Sequence, residues 1–231
     1  MKDLLQEKTK CLLIQPLFST FSFWNYRDVC RIAGAQYPAA PLGLMTLAAL
    51  LPQHWDFKLI DENVEPLKDE HFDWADIVFA GAMLPQQDRL LAIIKKAHEK
   101  SRPIVVGGPD PSSQPDIYRE ADFLVLGEAE VTIPPFITDL GNKATSGTYA
   151  SAEKADMAEA VIPRFDLVRF KDYLHIGVQF SRGCPHNCEF CDIIELFGRK
   201  PRTKTPDQVI RELQRLYDMG YRGHVDFVDD N

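Results

Sequence analysis

Five short apolar runs recur along the first 126 residues, and the stretches between them carry the spacing of helices. The runs are residues 10–18 (KCLLIQPLF), 56–61 (DFKLID), 76–84 (DIVFAGAML), 103–106 (PIVV) and 121–126 (ADFLVL). Runs this short suit strands covered on both faces, as parallel strands are. Residues 42–51 read as a helix opened by Pro41 and stopped by Pro52; it is apolar nearly all round and is expected to be buried. Residues 85–100 read as a second helix with Leu90, Leu91, Ile94 and Ala97 on one face. A short helix follows from Ser112 or Ser113 to Glu120, and residues 132–140 form a last one closed by Gly141. Strand and helix in alternation predict an α/β fold, a doubly wound five-stranded parallel sheet over residues 1–141.

In such a sheet ligands lie beyond the carboxyl ends of the strands. Those ends are residues 16–19, 61–63, 81–84, 107–110 and 127–130, and Gly81, Gly107, Gly108 and Gly127 cluster at the last three. Glycine lets backbone approach a bulky ligand, and it equally serves a tight strand-to-helix turn; both readings stand. The first connection carries Phe18, Phe21, Phe23, Trp24, Tyr26 and Tyr37. A connection this long is expected to be either a functional lid or a flap packed on its own domain.

Residues 142–172 read as a linker, polar and rich in Ala, Ser and Thr up to residue 159, and residues 173–231 as the start of a second domain. Its first strand is residues 176–180 (IGVQF), followed by Ser181-Arg182-Gly183-Cys184-Pro185-His186-Asn187-Cys188-Glu189-Phe190-Cys191. Three of the five cysteines stand here at C-x3-C-x2-C spacing. Three thiolates are one short of the four that close a structural zinc or an ordinary iron–sulfur site, so a position stays open for chemistry. A zinc site with His186 or a distant group as fourth ligand is the plain alternative. Cys11 and Cys30 are far from these three, Cys11 expected in the core of the first strand and Cys30 in a loop or pocket, which disfavours a disulfide framework. Arg199, Lys200, Arg202 and Lys204 form a basic run, read as a solvated loop or as a surface for an anion. Thr205 as N-cap, Pro206 and Gln208 start a helix whose stripe is Val209, Ile210, Leu213, Leu216 and Tyr217 and which Gly220 ends. Residues 224–228 (HVDFV) are the next strand, which delivers Asp229 and Asp230 to its carboxyl end.

The formal net charge of −8 argues against nucleic-acid phosphate as the main partner. No apolar run reaches the length of a membrane span, and residues 1–10 are polar and charged, without the apolar core of a signal peptide, so a cytoplasmic location is expected.

The cysteine spacing, the Arg-Gly lead-in and the aromatic Phe190 before the last cysteine resemble the radical S-adenosylmethionine (radical SAM) enzymes. The resemblance implies that Cys184, Cys188 and Cys191 hold a 4Fe–4S cluster and that S-adenosylmethionine chelates the fourth iron. Reduction by a donor such as flavodoxin or ferredoxin would release a 5′-deoxyadenosyl radical. It also makes Phe190 and Asp229 or Asp230 contacts of S-adenosylmethionine. The upstream part resembles the cobalamin-binding domains that precede many radical SAM domains, through Pro41-Leu42-Gly43-Leu44, Asp61-Glu62-Asn63, Gly81-Ala82-Met83, Gly107-Gly108-Pro109 and Gly127-Glu128-Ala129-Glu130. This implies cobalamin contacts at Gly81, Ala82, Met83, Gly107, Gly108, Gly127 and Glu128, with Gly107 and Gly108 beside the nucleotide tail. The D-x-H-x-x-G tag of other cobalamin domains is missing, and the first histidine is His54. Cobalt would then have no lower histidine ligand, its lower face meeting water or an apolar side chain such as Met83 or Leu84. A domain that has lost cobalamin would look the same. Residues 162–167 with Tyr173 resemble the bridge that docks the two domains.

The expected function is that of the N-terminal part of a cobalamin-dependent radical SAM enzyme that moves a methyl group to an unactivated carbon of a small molecule. Cyclisation or rearrangement by the same two domains is an alternative. So is a corrinoid- or nucleotide-binding module with a zinc-binding tail, or a flavodoxin-like domain for another ligand. Radical SAM barrels have about six βα units by this resemblance, against one and the start of a second here. The chain is therefore expected to be incomplete, inactive alone, and open at its last strand to pairing with another copy.

Overall fold

The structure, a computed structural model, describes residues 4–5, 7–20 and 25–230. In chain order β1 is Lys10–Gln15, α1 Arg27–Ala33, β2 Tyr37–Ala39, α2 Leu42–Leu50, β3 Asp56–Asp61, α3 Asp69–Trp74 and β4 Ile77–Gly81. Next come α4 Gln87–Glu99, β5 Ile104–Gly107, α5 Pro109–Ser113, β6 Phe123–Leu126, α6 Ala129–Gly141 and β7 Gly147–Ala150. The remainder is β8 Tyr173–Val178, β9 Ser181–Arg182, α7 Ile193–Leu196, β10 Arg202–Thr203, α8 Pro206–Asp218 and β11 His224–Phe227.

The main sheet is parallel throughout, in the order β3-β1-β4-β5-β6-β7. Alternate residues of each strand go to opposite faces. Cys11 and Leu13 of β1, Phe79 of β4 and Val105 of β5 enter one core with Leu44 and Met45 of α2 and Phe136 of α6. Leu12, Ile14, Val78, Ala80, Ile104 and Val106 enter the other with Phe72 of α3 and Leu90, Ile93 and Ile94 of α4. Continuous burial on both faces is why these strands read as apolar runs.

The expected five strands are six. The sixth, β7, lies in the polar segment after α6, and its residues alternate between half-buried and exposed. It is an edge strand held by backbone pairing to β6, with Tyr149 set edge-on against Phe136 at 5.5 Å and 81°. A strand covered on one side needs no apolar run.

The aromatic connection after β1 folds as α1 and β2; Phe21, Phe23 and Trp24 of that expectation lie outside the described residues. Cys30, expected in a loop or pocket, is buried on α1. Strand β2 leaves the main sheet and pairs in parallel with β8, Tyr37 opposite Tyr173 and Ala39 opposite His175. The second sheet is thus β11-β8-β2, with a segment from early in the chain as one outer strand. Pro38 is tolerated there because an edge strand leaves half its N–H groups unpaired. Tyr173, Ile176, Val178 and Leu216 of the later part join the core on the α2 and α6 side of the main sheet. The capping box of α8 forms as the sequence suggests: Gln208 N–H donates to Thr205 Oγ1 at 3.3 Å, and Thr205 N–H to Gln208 Oε1 at 2.8 Å. Among the described residues no helix is long and apolar enough to cross a membrane.

Candidate functional site

A cleft of about 570 Å³ lies between the carboxyl ends of the main sheet and the cysteine-bearing segment. One wall is made by strand ends: Gly81, Ala82, Met83, Gly107, Gly108, Gly127 and Glu128 all line it. Phe18, Leu44, Phe79 and Ile133 make its floor apolar, and the opposite wall carries Gln179, Arg182, Leu196, Phe197 and Val228. No histidine lies among the described residues that line it. Met83 faces the cleft, whereas Leu84 is 63% exposed and is not among the lining residues. The need for glycine at position 107 comes from the fold: a Cβ there would stand 2.6 Å from the carbonyl oxygen of Val125 on the next strand. The backbone therefore stays bare at the cleft rim because β5 and β6 approach closely.

Asp61 ends β3 against the same cleft and is buried. Burial pushes its carboxyl up to about 6, against hydrogen bonds from Asn63 and from the Tyr173 hydroxyl. The Tyr173 contact, 3.1 Å, crosses from the second sheet to the first.

The cysteine loop leaves β9 at Gly183 and returns through β10. Arg182 lies opposite Arg202 and Ser181 opposite Thr203 in that antiparallel pair, so the two strands bracket the loop. Gly183 has φ +91°, and its position is crowded: a Cβ would meet the carbonyl oxygens of Lys200 at 2.8 Å and Gly198 at 3.0 Å. Cys184 N–H donates to Gly198 O at 3.1 Å, and Cys191 N–H to Cys188 O at 3.2 Å. All three thiols are free; Cys184 is buried, Cys191 half-buried and Cys188 exposed. Among the described residues no three His, Cys, Asp or Glu side chains are gathered as a metal-ligand set. Three thiols on one eight-residue stretch still suit a soft, multi-iron centre in their donor chemistry, because a short loop lets them converge on it. Phe190 is 93% exposed.

Asp229 and Asp230, expected as cofactor contacts, meet the backbone of the loop's approach. Asp229 Oδ1 accepts from Phe180 N–H at 2.7 Å and Ser181 N–H at 2.9 Å, and Asp230 Oδ2 accepts from Gly183 N–H at 2.8 Å. Burial raises the Asp230 carboxyl above its ordinary value.

The largest departure from the sequence reading is a set of largely buried charges, of which Glu128, Glu130 and Arg182 line the cleft. Of the basic run read as a solvated loop or a surface for an anion, Lys204 is buried and Arg202 half-buried: Arg202 meets the Glu128 carboxylate with two nitrogens, and Lys204 pairs with buried Glu212. Arg182 reaches Glu128 at 3.1 Å and Glu130 at 2.7 Å. Burial opposes the Glu130 charge, but Arg182 outweighs it and holds the carboxyl below its usual range. The pairings of Arg182 and Arg202 span more than fifty residues and leave no periodic trace, so the only available signal for them was the placement of acids at a strand end and of arginines around the cysteines.

Comparison with known proteins agrees with this geometry. Residues 178–231 match the radical SAM superfamily. The chain is 46% identical over 224 residues to an uncharacterized methyltransferase of Synechocystis sp., covering 96% of this chain and 42% of the relative. It is 40% identical over 195 residues to hopanoid C-2 methylase of Rhodopseudomonas palustris, covering 83% and 37%. Its fold resembles that of TsrM from Kitasatospora setae, a radical S-adenosylmethionine methyltransferase solved with tryptophan and a SAM analog. The TM-score is 0.69 at 15% identity, over 96% of this chain and 48% of that one. A second structure of TsrM, with cobalamin and a 4Fe–4S cluster bound, gives a TM-score of 0.67. The chain spans less than half the length of each of these proteins. The cysteine loop, the parallel sheet and likeness along nearly all its length agree: the chain carries a radical SAM match at residues 178–231 and is similar, over less than half of their length, to radical SAM methyltransferases.

Proposed function

We propose that these 231 residues are the cofactor-holding part of a cobalamin-dependent radical SAM methyltransferase acting on an unactivated carbon of a small molecule. The observation that carries the reading is the single cleft with the sheet's strand ends on one side and the approach to the cysteine loop on the other. Cys184, Cys188 and Cys191 would hold a 4Fe–4S cluster through three thiolates, and the strand ends from Gly81 to Glu128 would hold cobalamin. Together with S-adenosylmethionine these groups supply a carbon-centred radical to abstract hydrogen and a methyl group to replace it. The chain's own work is to place and shield. Gly183 turns the loop so that Cys184 points inward, Asp229 and Asp230 fix the backbone before it, and the apolar floor keeps water from the reacting space. Phe190 is available to the adenosine of S-adenosylmethionine. Without a lining histidine, cobalt would be bound with its lower face toward Met83 or water.

Anaerobic reconstitution with iron and sulfide tests the cluster. The expected product is a brown chain with a full 4Fe–4S complement, which Cys184→Ser, Cys188→Ser and Cys191→Ser each lose. Stoichiometric zinc with no cluster would instead make the loop a structural metal site. Equilibrium titration with hydroxocobalamin tests the other half, with a bound corrinoid that shows no nitrogen below the cobalt as the expected outcome. Failure to bind would remove cobalamin and leave the cluster reading intact. Turnover is expected only of a longer protein.

A further inference from the structure

The cysteine loop has two legs, and an arginine on each leg is anchored to the same buried carboxylate at the end of the main sheet. Arg182 lies on β9, two residues before Cys184, and Arg202 lies opposite it on β10. Glu128, whose side chain is fully buried, accepts from Arg182 Nη1 at 3.1 Å and from Arg202 Nη1 and Nη2 at 2.9 and 2.7 Å. It also accepts Ala155 N–H at 3.3 Å, so both of its oxygens are occupied. Glu130 takes the rest of Arg182 at 2.7 and 3.0 Å, and Arg202 also donates to Phe197 O at 3.0 Å. Two carboxylates and two guanidiniums cancel in charge, and the arrangement holds only while each charge keeps its partner, because an unpaired buried charge is costly. Bidentate arginine contacts also define direction. Glu128 lines the cleft, but its carboxylate is fully buried among these partners.

We infer that Glu128 and Glu130 are positioning residues for the cysteine loop: through Arg182 and Arg202 they lock its two legs against the end of β6 and so keep Cys184 turned inward. On the reading that this loop holds the cluster, the same lock sets where the cluster stands relative to whatever occupies the cleft.

Thiol chemistry tests this in the metal-free, reduced chain. Native-state alkylation by iodoacetamide, followed by mass spectrometry, gives a rate for each cysteine and reports local opening. Cys184 is buried, and Cys11 is fully buried on β1, far from the loop, so Cys11 serves as the internal standard. Glu128→Gln should speed Cys184 alkylation by roughly tenfold or more, and Glu130→Gln by less, because Arg182 keeps its contact with Glu128. Cys11 should keep its wild-type rate in both. An unchanged Cys184 rate in both variants would overturn the inference. So would a Cys11 rate that climbs in parallel, since the carboxylates would then support the fold in general. Should the wild type take up no cluster on reconstitution, the radical SAM reading fails while the alkylation result still decides the role of the two glutamates. If it does take one up, Glu130→Gln is expected to release iron to a chelator several-fold faster.

Discussion

A single oxygen of Asp229 serves two backbone N–H groups of the segment that leads into the cysteines. What matters there is an acceptor, and a charge is secondary. Asp229→Asn keeps a carbonyl oxygen in place and should unfold in urea close to wild type. Asp229→Ala leaves both donors without a protein partner and should lose about 1–3 kcal/mol. Equal losses in the two variants would mean that the negative charge itself is needed. At Asp61 the charge is the burden. Its carboxyl is raised from 3.8 to about 6 by burial, so the fold favours the protonated form. Stability from this group is complete below the unfolded value and falls away as pH rises through the folded one. At neutral pH the ionised carboxylate costs on the order of 2–3 kcal/mol relative to a neutral isostere. Asp61→Asn should therefore withstand more urea than wild type at pH 7.5, and the gap between them should close as the pH is lowered to about 4. A gap independent of pH would show that the Asp61 carboxyl titrates alike in the folded and unfolded chain, so that burial does not raise it.

The loop between β9 and β10 behaves as an element in its own right, closed at its neck by Gly183. Because the obstruction at that position consists of the backbone carbonyls of Gly198 and Lys200, Gly183→Ala cannot be relieved by turning a side chain. It should cost about 1–3 kcal/mol in urea unfolding and cut iron incorporation on reconstitution. A variant with wild-type stability and full iron would show that the neck is wider than the crowding implies. This element was half legible in the sequence. The spacing of Cys184, Cys188 and Cys191 stood out because it is local. The bracketing pair β9 and β10 did not, since two-residue strands carry no period. The same division runs through the fold. The first five strands of the main sheet were legible because strands buried on both faces must be apolar throughout. Strand β7, from Gly-Thr-Tyr-Ala, and β2, from Tyr-Pro-Ala, were not, because an edge strand is defined by the neighbour it pairs with. The box at Thr205 and Gln208 was legible from four residues. The pairing of Arg202 was not, because it depends on Glu128, which the chain reaches only through tertiary folding.

Across the whole molecule, the two sheets are tied by more than a connecting segment. Strand β2 departs from the connection after β1 to complete the second sheet, Tyr173 hydrogen-bonds Asp61, and Gln36 Nε2 donates to Asp172 Oδ1 at 2.8 Å. Ile176 and Val178 of β8 and Leu216 of α8 pack into the core that also holds Leu13 and Phe79 of the main sheet. A shared core makes separate melting unfavourable, because removing either part exposes apolar surface on the other. The chain should therefore unfold in one cooperative step. Pulse labelling of thiols across a urea series reads this directly, with Cys11 reporting the main sheet and Cys184 the cysteine loop beside the second sheet. Coincident midpoints are expected, although Cys184 can open locally in native buffer without Cys11 following. Residues 1–141 expressed alone should be measurably weaker than the main sheet within the whole chain. They would lack β7, Tyr173 as the strand partner of Tyr37, and the side chains of Phe165, Ile176 and Leu216 that cover one face of the core. A fragment as resistant to urea as the whole chain, or two separated midpoints in the labelling series, would mean that the contacts between the sheets add little and that the cleft between them is set by each part on its own.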